Sequence, residues 1–290
     1  MGYPLKISEF TRLQLEITNF CNASCPSCER ATTQKQLNDY HLDLTDLQKW
    51  LDFDSLKSLQ KVHLCGNIDE PTLHPDLIDI VKWIPVTTWV ATNGGAREDK
   101  FWTELGKLDC MVVFGIDGLS DTNHLYRRNV NWKKLERNFR TFIDAGGTAA
   151  WQFIVFEHND HQIEEARDLS LHEGFSHFFT VETTRNNPLP APPFERTVTE
   201  LNCKACGSPE LWKSLYIDVQ GRLWPCCWMG THEKQVYEIM DESYLGNSLH
   251  YNTMEDILND MFSDLPLSKF DVCNSHCRDN ITDDFQWTNS

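Results

Sequence analysis

Leu13-Gln14-Leu15-Glu16-Ile17-Thr18 runs directly into Asn19-Phe20-Cys21-Asn22-Ala23-Ser24-Cys25-Pro26-Ser27-Cys28, and this stretch decides how the chain is read. The first six residues alternate apolar and polar side chains, the period of a strand. The next ten are loop-forming and carry three cysteines in a C-x3-C-x2-C spacing. Three thiolates on one tight loop can hold three irons of a cubane cluster, leaving the fourth iron without a protein ligand. An iron open to a small molecule is a reactive site, whereas four cysteines make a closed electron carrier. The competing readings of the same residues are a zinc knuckle and a group of buried thiols.

Working outward, strand and helix patterns alternate. Leu44, Leu47, Trp50 and Leu51 recur at helical spacing, followed by a strand at Lys61-Val62-His63-Leu64. Leu77, Ile80, Val81 and Ile84 mark a helix, and Thr87 to Ala91 a strand. Phe101, Trp102, Leu105 and Leu108 suggest the next helix, and Met111 to Phe114 the next strand. A helix through Leu135, Phe139, Phe142 and Ile143 stops at Gly146-Gly147. A strand at Trp151 to Phe156, a helix around Ile163 to Leu171 and a strand at His177 to Val181 complete the series. Six strands alternating with helices imply an α/β fold with a parallel sheet, and a count short of eight implies an open, partial (β/α)6 barrel. Prolines 188, 190, 192 and 193 then break the pattern. The expected organisation is a barrel over residues 1–185, a Pro-rich linker over 186–200 and a small α+β lobe over 201–290. That lobe shows a hairpin pattern, Leu215 to Val219 and Arg222 to Trp224 around Gln220-Gly221, then a helix from Asn252 to Phe262 with Thr253 as N-cap.

Composition bounds the function. The chain has 290 residues, a net charge of −17, 40% hydrophobic residues and 10 Trp. The hydrophobic content supports a proper core, and the negative charge argues against direct nucleic-acid binding through phosphate neutralisation. No apolar run approaches the ~20 residues needed to span a bilayer. Met1 to Phe10 lacks the apolar core of a signal peptide, so the expectation is a cytoplasmic protein without membrane partners. Of 11 cysteines, three lie near the start and six near the end, at 203, 206, 226, 227, 273 and 277. In a chain of this length without an export signal, such clustering favours two metal centres over disulfide staples.

The strand exits carry polar or glycine-rich segments: 21–28, 66–71, 92–95, 115–118, 157–159 and 183–185. In a β/α barrel, chemistry lies at this end of the strands. The cysteine spacing at the end of a first strand, with these later segments in order, resembles the radical S-adenosylmethionine (radical SAM) enzymes over about residues 11 to 278. The resemblance implies a [4Fe–4S] cluster on Cys21, Cys25 and Cys28 that binds S-adenosylmethionine (SAM) and cleaves it reductively to a 5′-deoxyadenosyl radical. The electron would come from a donor such as flavodoxin or ferredoxin. Cys65-Gly66-Asn67-Ile68-Asp69-Glu70-Pro71 resembles the family's glycine–glycine–glutamate motif, whose acid meets the methionine amine. Asn67 replaces its second glycine, leaving Asp69 and Glu70 as alternatives for that role. Thr92 and Asn93 resemble the position near the ribose. Asp117 resembles the strand-four acid, and Arg127 the arginine that meets the methionine carboxylate. Gln152 and Ile154 lie on the strand that lines the adenine. The residue before the third cysteine is usually bulky, but here it is Ser27, so adenine stacking must come from elsewhere.

Each of these residues also has a plainer reading. Asp69, Glu70 and Asp117 suit turns, and Arg127 suits a surface ion pair. Cys65 reads as a hydrogen-atom donor, as thiols are in some radical epimerases, or as a small buried hydrophobe. Cys110 reads as structural, and His158 to His161 as a metal site or, better, a polar loop.

The end of the chain resembles the SPASM/Twitch extension of radical SAM enzymes. That resemblance implies one auxiliary [4Fe–4S] cluster on Cys226, Cys273, Cys277 and Cys206, with Cys203 as the alternative to Cys206. A zinc ribbon is the competing reading. The function implied is hydrogen abstraction from a small-molecule carbon, in an oxidation, rearrangement or crosslink. The alternatives are a maturase acting on a ribosomally made peptide and a non-catalytic iron–sulfur electron carrier.

Overall fold

The computed structural model describes residues 6–32, 40–183, 214–231 and 246–260. Its strands are β1 (Arg12–Leu15), β2 (Lys61–Leu64), β3 (Thr87–Thr92), β4 (Cys110–Gly115), β5 (Thr148–Val155), β6 (His177–Glu182), β7 (Ser214–Ile217) and β8 (Leu223–Trp224). They form one sheet in the order β6-β5-β4-β3-β2-β1-β7-β8. Every pairing from β6 to β7 is parallel, and β8 returns antiparallel on β7. The α-helices are α1 (Glu29–Thr32), α2 (Leu44–Trp50), α3 (Phe53–Lys57), α4 (Leu77–Trp83), α5 (Asp99–Leu105), α6 (Asn123–Tyr126), α7 (Trp132–Asp144), α8 (Ile163–His172), α9 (Cys227–Thr231) and α10 (Met254–Asp260). This is the mixed α/β, partial-barrel architecture expected from the alternation.

Pleating divides each strand between two environments. Leu13, Leu15, Val62, Leu64, Val90, Val112 and Phe114 turn outward and are buried under the helices. Phe114 sits at the centre of an aromatic cluster, with ring centroids 5.5 Å from Trp102, 6.0 Å from Phe142, 6.3 Å from Phe139 and 5.9 Å from Phe175. Arg12, Gln14, Lys61, His63, Trp89 and Ala91 turn inward and are only partly buried, because the barrel is hollow there.

Local signals set several boundaries. Helix α7 ends in a Schellman motif: Gly146 takes φ +95°, its N–H donates to Ile143 O at 2.9 Å, and Gly147 N–H donates to Phe142 O at 3.1 Å. Thr253 caps α10, its hydroxyl accepting from Asp256 N–H at 3.1 Å while donating to the Asp256 carboxylate at 2.6 Å.

Some elements differ from expectation. β1 ends at Leu15, with Glu16 N–H still donating to Ile217 O of β7 at 2.9 Å, and beyond it Thr18 forms an isolated antiparallel bridge with His41. β5 starts at Thr148, three residues before Trp151, because Ala149 and Ala150 pair with β4 despite their weak strand preference. The hairpin of β7 and β8 does not stand apart from the barrel: β7 pairs in register with β1, Arg12 opposite Ser214 and Leu15 opposite Ile217. The linker at 186–200 and most of 201–290 lie outside the described residues.

Phe114→Ala removes the ring at the hub of the outer cluster. It should lower unfolding stability by about 3–5 kcal/mol, read as a fall in the guanidinium midpoint. A loss well under 1 kcal/mol would mean that this cluster does not hold the helices to the sheet.

Candidate active site

The three cysteines sit on a loop tied down from two sides. Cys28 N–H donates to Cys25 O at 3.2 Å, and Ala31 N–H to Cys28 O at 2.8 Å, so the third cysteine closes a turn and leads into α1. Asn22 and Asn93 exchange side-chain amide hydrogen bonds at 3.0 and 3.3 Å, joining the loop to the exit of β3. Ser24 N–H donates to Arg128 O at 3.1 Å, joining it to the segment after β4. The three thiols form no disulfide. Burial pushes the Cys21 thiol up to about 12, with Glu70 and the other two thiols adding to it. Burial raises Cys25 as well, against the opposing pull of Arg127. A metal entering here must displace protons held by a low-dielectric pocket.

All three cysteines open on one cavity of about 550 Å³. The exit of β2 supplies its acidic corner. Gly66 takes φ +61°, which turns the chain back toward the loop. Glu70 is buried and its carboxylate is fully engaged. It accepts from the hydroxyls of Thr72 at 2.5 Å and Thr92 at 2.6 Å, and from the N–H groups of Asn93 at 2.6 Å and Thr72 at 3.3 Å. Asp69 is different. One oxygen accepts from Thr18 N–H at 3.3 Å, while the other is buried with no hydrogen-bond partner. Burial and the neighbouring Glu16 carboxyl push Asp69 well up from the usual carboxylate range. Two buried carboxyls side by side need a proton or a cation between them. Of the two acids in the motif, Glu70 braces the loops, while Asp69 lies against the Glu16 carboxyl and keeps one buried oxygen that accepts from no donor.

The exit of β4 supplies a cation. Asp117 is buried, accepts from Ile154 N–H at 2.7 Å, and pairs with Arg127 Nε at 2.6 Å. Burial pushes the Asp117 carboxyl up and Arg127 opposes it. Burial also works against the Arg127 charge, but Asp117 and Cys25 more than offset it. The guanidinium lies against Gly115, where a Cβ would come within 2.4 Å of Nη2. Only glycine gives Arg127 this room, and Arg127 lines the cavity beside Cys25. The plainer reading of Arg127 as a surface ion pair does not hold, since its partner is fully buried.

Gly66, Asn67, Asp69, Glu70, Thr92, Asn93, Arg127 and Gln152 all line this cavity. Thr92 and Asn93 also hold Glu70, and Asn93 Nδ2 lies 3.9 Å from Cys21 Sγ. Asp117 and Ile154 stand behind the wall: Asp117 holds Arg127, and Ile154 packs with Cys25, Tyr126 and Phe156. Ser27 is buried. Cys65 lies at the wall, its thiol 3.4 Å from both Leu15 O and the Glu16 carboxylate, and burial pushes it far up. It is a protonated, buried thiol at a cavity edge, which leaves both of its readings open. Cys110 is buried, with its thiol 3.8 Å from Leu105 O. The His158 ring stacks on Phe156 at 5.3 Å. Among the described residues no three His, Cys, Asp or Glu side chains converge on a single metal ion.

Three participants escaped the sequence reading. Glu16 is fully buried and accepts from Ile68 N–H at 2.7 Å and Tyr216 Oη–H at 2.8 Å. Its place in the apolar-polar alternation marked it only as a strand residue. Tyr126 and Phe156 pack together at 4.5 Å behind Cys25. No spacing signal links them, as they come from different strand exits. At the other edge, Cys226 is buried and Trp228 of α9 lines the cavity. Cys203, Cys206, Cys273 and Cys277 lie outside the described residues.

The radical SAM superfamily model matches residues 15–170, more than half of the chain, and the chain belongs to that superfamily. Two curated relatives are similar over part of it. A tungsten-containing aldehyde ferredoxin oxidoreductase cofactor-modifying protein of Pyrococcus furiosus is 32% identical over 111 residues, 37% of this chain and 31% of that protein. A GTP 3′,8-cyclase of Shewanella denitrificans is 33% identical over 104 residues, 33% of this chain and 30% of that protein. The chain thus spans about a third of the length of the curated relatives it matches. Among solved structures, Streptococcus suis SuiB bound to S-adenosylmethionine superposes with TM-score 0.64 at 13% identity, covering 88% of this chain and 66% of that one. The anSMEcpe structure with bound AdoMet and the Cp18Cys peptide gives TM-score 0.58 at 13% identity, covering 89% of this chain and 84% of that one. At this identity both likenesses speak to the fold.

Arg127→Met leaves the Asp117 carboxylate buried without its partner and should cost about 3–5 kcal/mol, measured by guanidinium unfolding. The double variant Asp117→Asn/Arg127→Met should recover part of that loss. A single variant as stable as the parent would show that the pair is not the brace described.

Proposed function

We propose that this chain is a radical SAM enzyme whose Cys21, Cys25 and Cys28 hold a [4Fe–4S] cluster, and that it abstracts hydrogen from a carbon of a small-molecule substrate. The observation that carries this reading is that three thiols, a buried carboxyl oxygen without a partner and a braced guanidinium share one cavity. When bound, the cluster and SAM supply reductive cleavage to methionine and a 5′-deoxyadenosyl radical, the chemistry being the cofactors' own.

The protein's share is binding and orientation. Asp69 offers its open oxygen to the methionine amine, and Arg127 offers its guanidinium to the methionine carboxylate. Asp117 fixes the angle of Arg127, and Gly115 leaves it space. Glu70 holds the exits of β2 and β3 together so that Thr92 and Asn93 face the ribose. Gln152, with Phe179 and Val181 of β6 beside it in the wall, forms the adenine side. Trp228 and Val113 exclude water, which protects a reactive radical from stray hydrogen donors.

Residues 201–290 form an auxiliary [4Fe–4S] centre in this reading, on Cys226, Cys273, Cys277 and either Cys206 or Cys203, reached from the 1–185 barrel through the 186–200 linker. Support comes from Cys226, buried beside the end of β8, one residue before the helix that brings Trp228 to the cavity. Such a centre would take an electron from the substrate radical and make the reaction a net oxidation. A flavodoxin- or ferredoxin-type donor supplies the first electron.

The second reading is a peptide maturase. SuiB has been solved bound to the precursor peptide SuiA, and anSMEcpe with a peptide, so this fold accepts peptides in those proteins. An electron carrier is disfavoured because a carrier has no use for a cavity of about 550 Å³ that presents Asp69, Glu70 and Arg127 beside its cluster.

Paired cysteine variants test the proposal. Cys25→Ala should lose the iron of the first cluster and release no 5′-deoxyadenosine under dithionite. Cys226→Ala should keep deoxyadenosine release and lose substrate turnover. Deoxyadenosine release that survives Cys25→Ala would overturn the proposed ligand set, and turnover that survives Cys226→Ala would remove the oxidative role of the second centre.

A further inference from the structure

Reductive cleavage takes up an electron, and a protein donor cannot bring it through a cavity of about 550 Å³. The donor has to reach the cysteine loop from its outer side. That side is formed by the segment that follows β4. Ser24, one residue before Cys25, is exposed, and its N–H donates to Arg128 O at 3.1 Å. Asn129 takes φ +67°, in the left-handed region that asparagine tolerates, and its Nδ2 donates to Ser24 Oγ at 3.0 Å. One hydrogen bond and the single residue Ser24 therefore separate the backbone of exposed Arg128 from Cys25. Behind them, Tyr126 of α6 packs on Cys25.

The charge of this segment runs against that of the chain. The whole sequence has 43 acids against 26 Lys and Arg, yet Asn123 to Leu135 carries Arg127, Arg128, Lys133 and Lys134 and no acid. Arg127 is paired with Asp117, and Lys134 with Glu98. Arg128 and Lys133 are exposed and form no ion pair among the described residues. Other exposed cations, Lys57, Lys82, Arg140 and Arg167, are each paired with an acid. Of the acids that flank the segment, Glu136 pairs with Arg140 at 3.0 Å, and Asp121 accepts from Gln162 Nε2 at 2.9 Å. The cysteine loop offers no counter-charge, since Ile17 to Cys28 contains no charged residue. Leu125, on the same short helix as Tyr126, is a large apolar side chain left exposed. Uncompensated charge beside a small apolar contact suits a brief, electrostatically steered encounter, the kind that electron-transfer partners make.

We propose that the surface around Leu125, Arg128 and Lys133 is where a small acidic one-electron carrier protein docks to reduce the metal centre on Cys21, Cys25 and Cys28. The proposal rests on the reading of those thiols as cluster ligands. The carrier is oxidised by one electron and the centre is reduced by one, and no bond on this chain forms or breaks. A chain of charge −17 repels an acidic partner over most of its surface. A local positive patch then sets where the partner lands as well as how fast it arrives.

The test compares two reductants on the full-length, anaerobically reconstituted protein. Reduced flavodoxin, a small acidic carrier, has to dock, whereas dithionite does not. Arg128→Glu/Lys133→Glu should lower deoxyadenosine release at limiting flavodoxin by about tenfold. Flavodoxin binding, measured by isothermal titration calorimetry, should weaken by a similar factor. Dithionite-driven release should stay at the parent rate. Arg128→Ala/Lys133→Ala should show a smaller loss of the same kind. Lys107→Glu is the control, an exposed charge reversal just before β4 and so at the opposite end of the strands from the cysteine loop. It should change neither flavodoxin binding nor flavodoxin-driven release. Raising the ionic strength from about 20 to about 300 mM should slow the flavodoxin-driven reaction of the parent far more than that of the double variant. Flavodoxin binding and flavodoxin-driven release that change no more in Arg128→Glu/Lys133→Glu than in Lys107→Glu would overturn the proposal. So would a flavodoxin-driven rate of the parent that is indifferent to salt. Parent protein that releases no deoxyadenosine even with dithionite would be a failure of the radical SAM reading instead, and the calorimetric comparison would still decide the docking surface.

Discussion

The Glu70 carboxylate is the constraint on which the rest of the site depends. Four donors from the exits of β2 and β3 converge on it, and its own N–H donates to Phe20 O at 2.8 Å in the cysteine loop. A buried carboxylate is costly unless each oxygen is answered. Here the answers come from segments far apart in sequence, so satisfying the charge also sets their mutual position. Asn93, whose N–H is one of the donors, carries that order on to Asn22 through its side chain. The cysteine spacing provides three thiols, and the Glu70 network ties their loop to the strand exits around a common cavity.

Around that network the barrel separates stability from chemistry by strand face. The outward faces bury Leu, Val and Phe under helices and carry the hydrophobic stabilisation. The inward faces hold ionisable groups in an unfilled interior, acids at the exits and bases at the floor. Superfamily membership accounts for the cysteine end of this gradient.

Much of the architecture was legible because it is local. Lys61–Leu64 and the helix of Ile163–His172 follow from patterns within single segments, and Gly146-Gly147 and Thr253 punctuate as their backbone chemistry dictates. The cavity residues were legible because the strand exits are polar where ordinary turns need only be short. What was not legible is pairing over distance. Strand β7 joins β1 across some two hundred residues of chain, and no local feature of Ser214 to Ile217 announces a parallel partner. The different surroundings of Asp69 and Glu70 could not be told from sequence either, since adjacent acids differ only in what their neighbours donate. Ile154 shows a related limit: its position on β5 suggested a cavity contact, but its backbone serves Asp117 and its side chain packs beside Cys25.

Electron paramagnetic resonance of the dithionite-reduced, reconstituted protein with and without SAM tests the central claim most directly. A cluster with one iron free of protein ligands should change its spectrum when SAM is added, and Arg127→Met should blunt that change. A reduced cluster whose spectrum is identical with and without SAM would contradict the account.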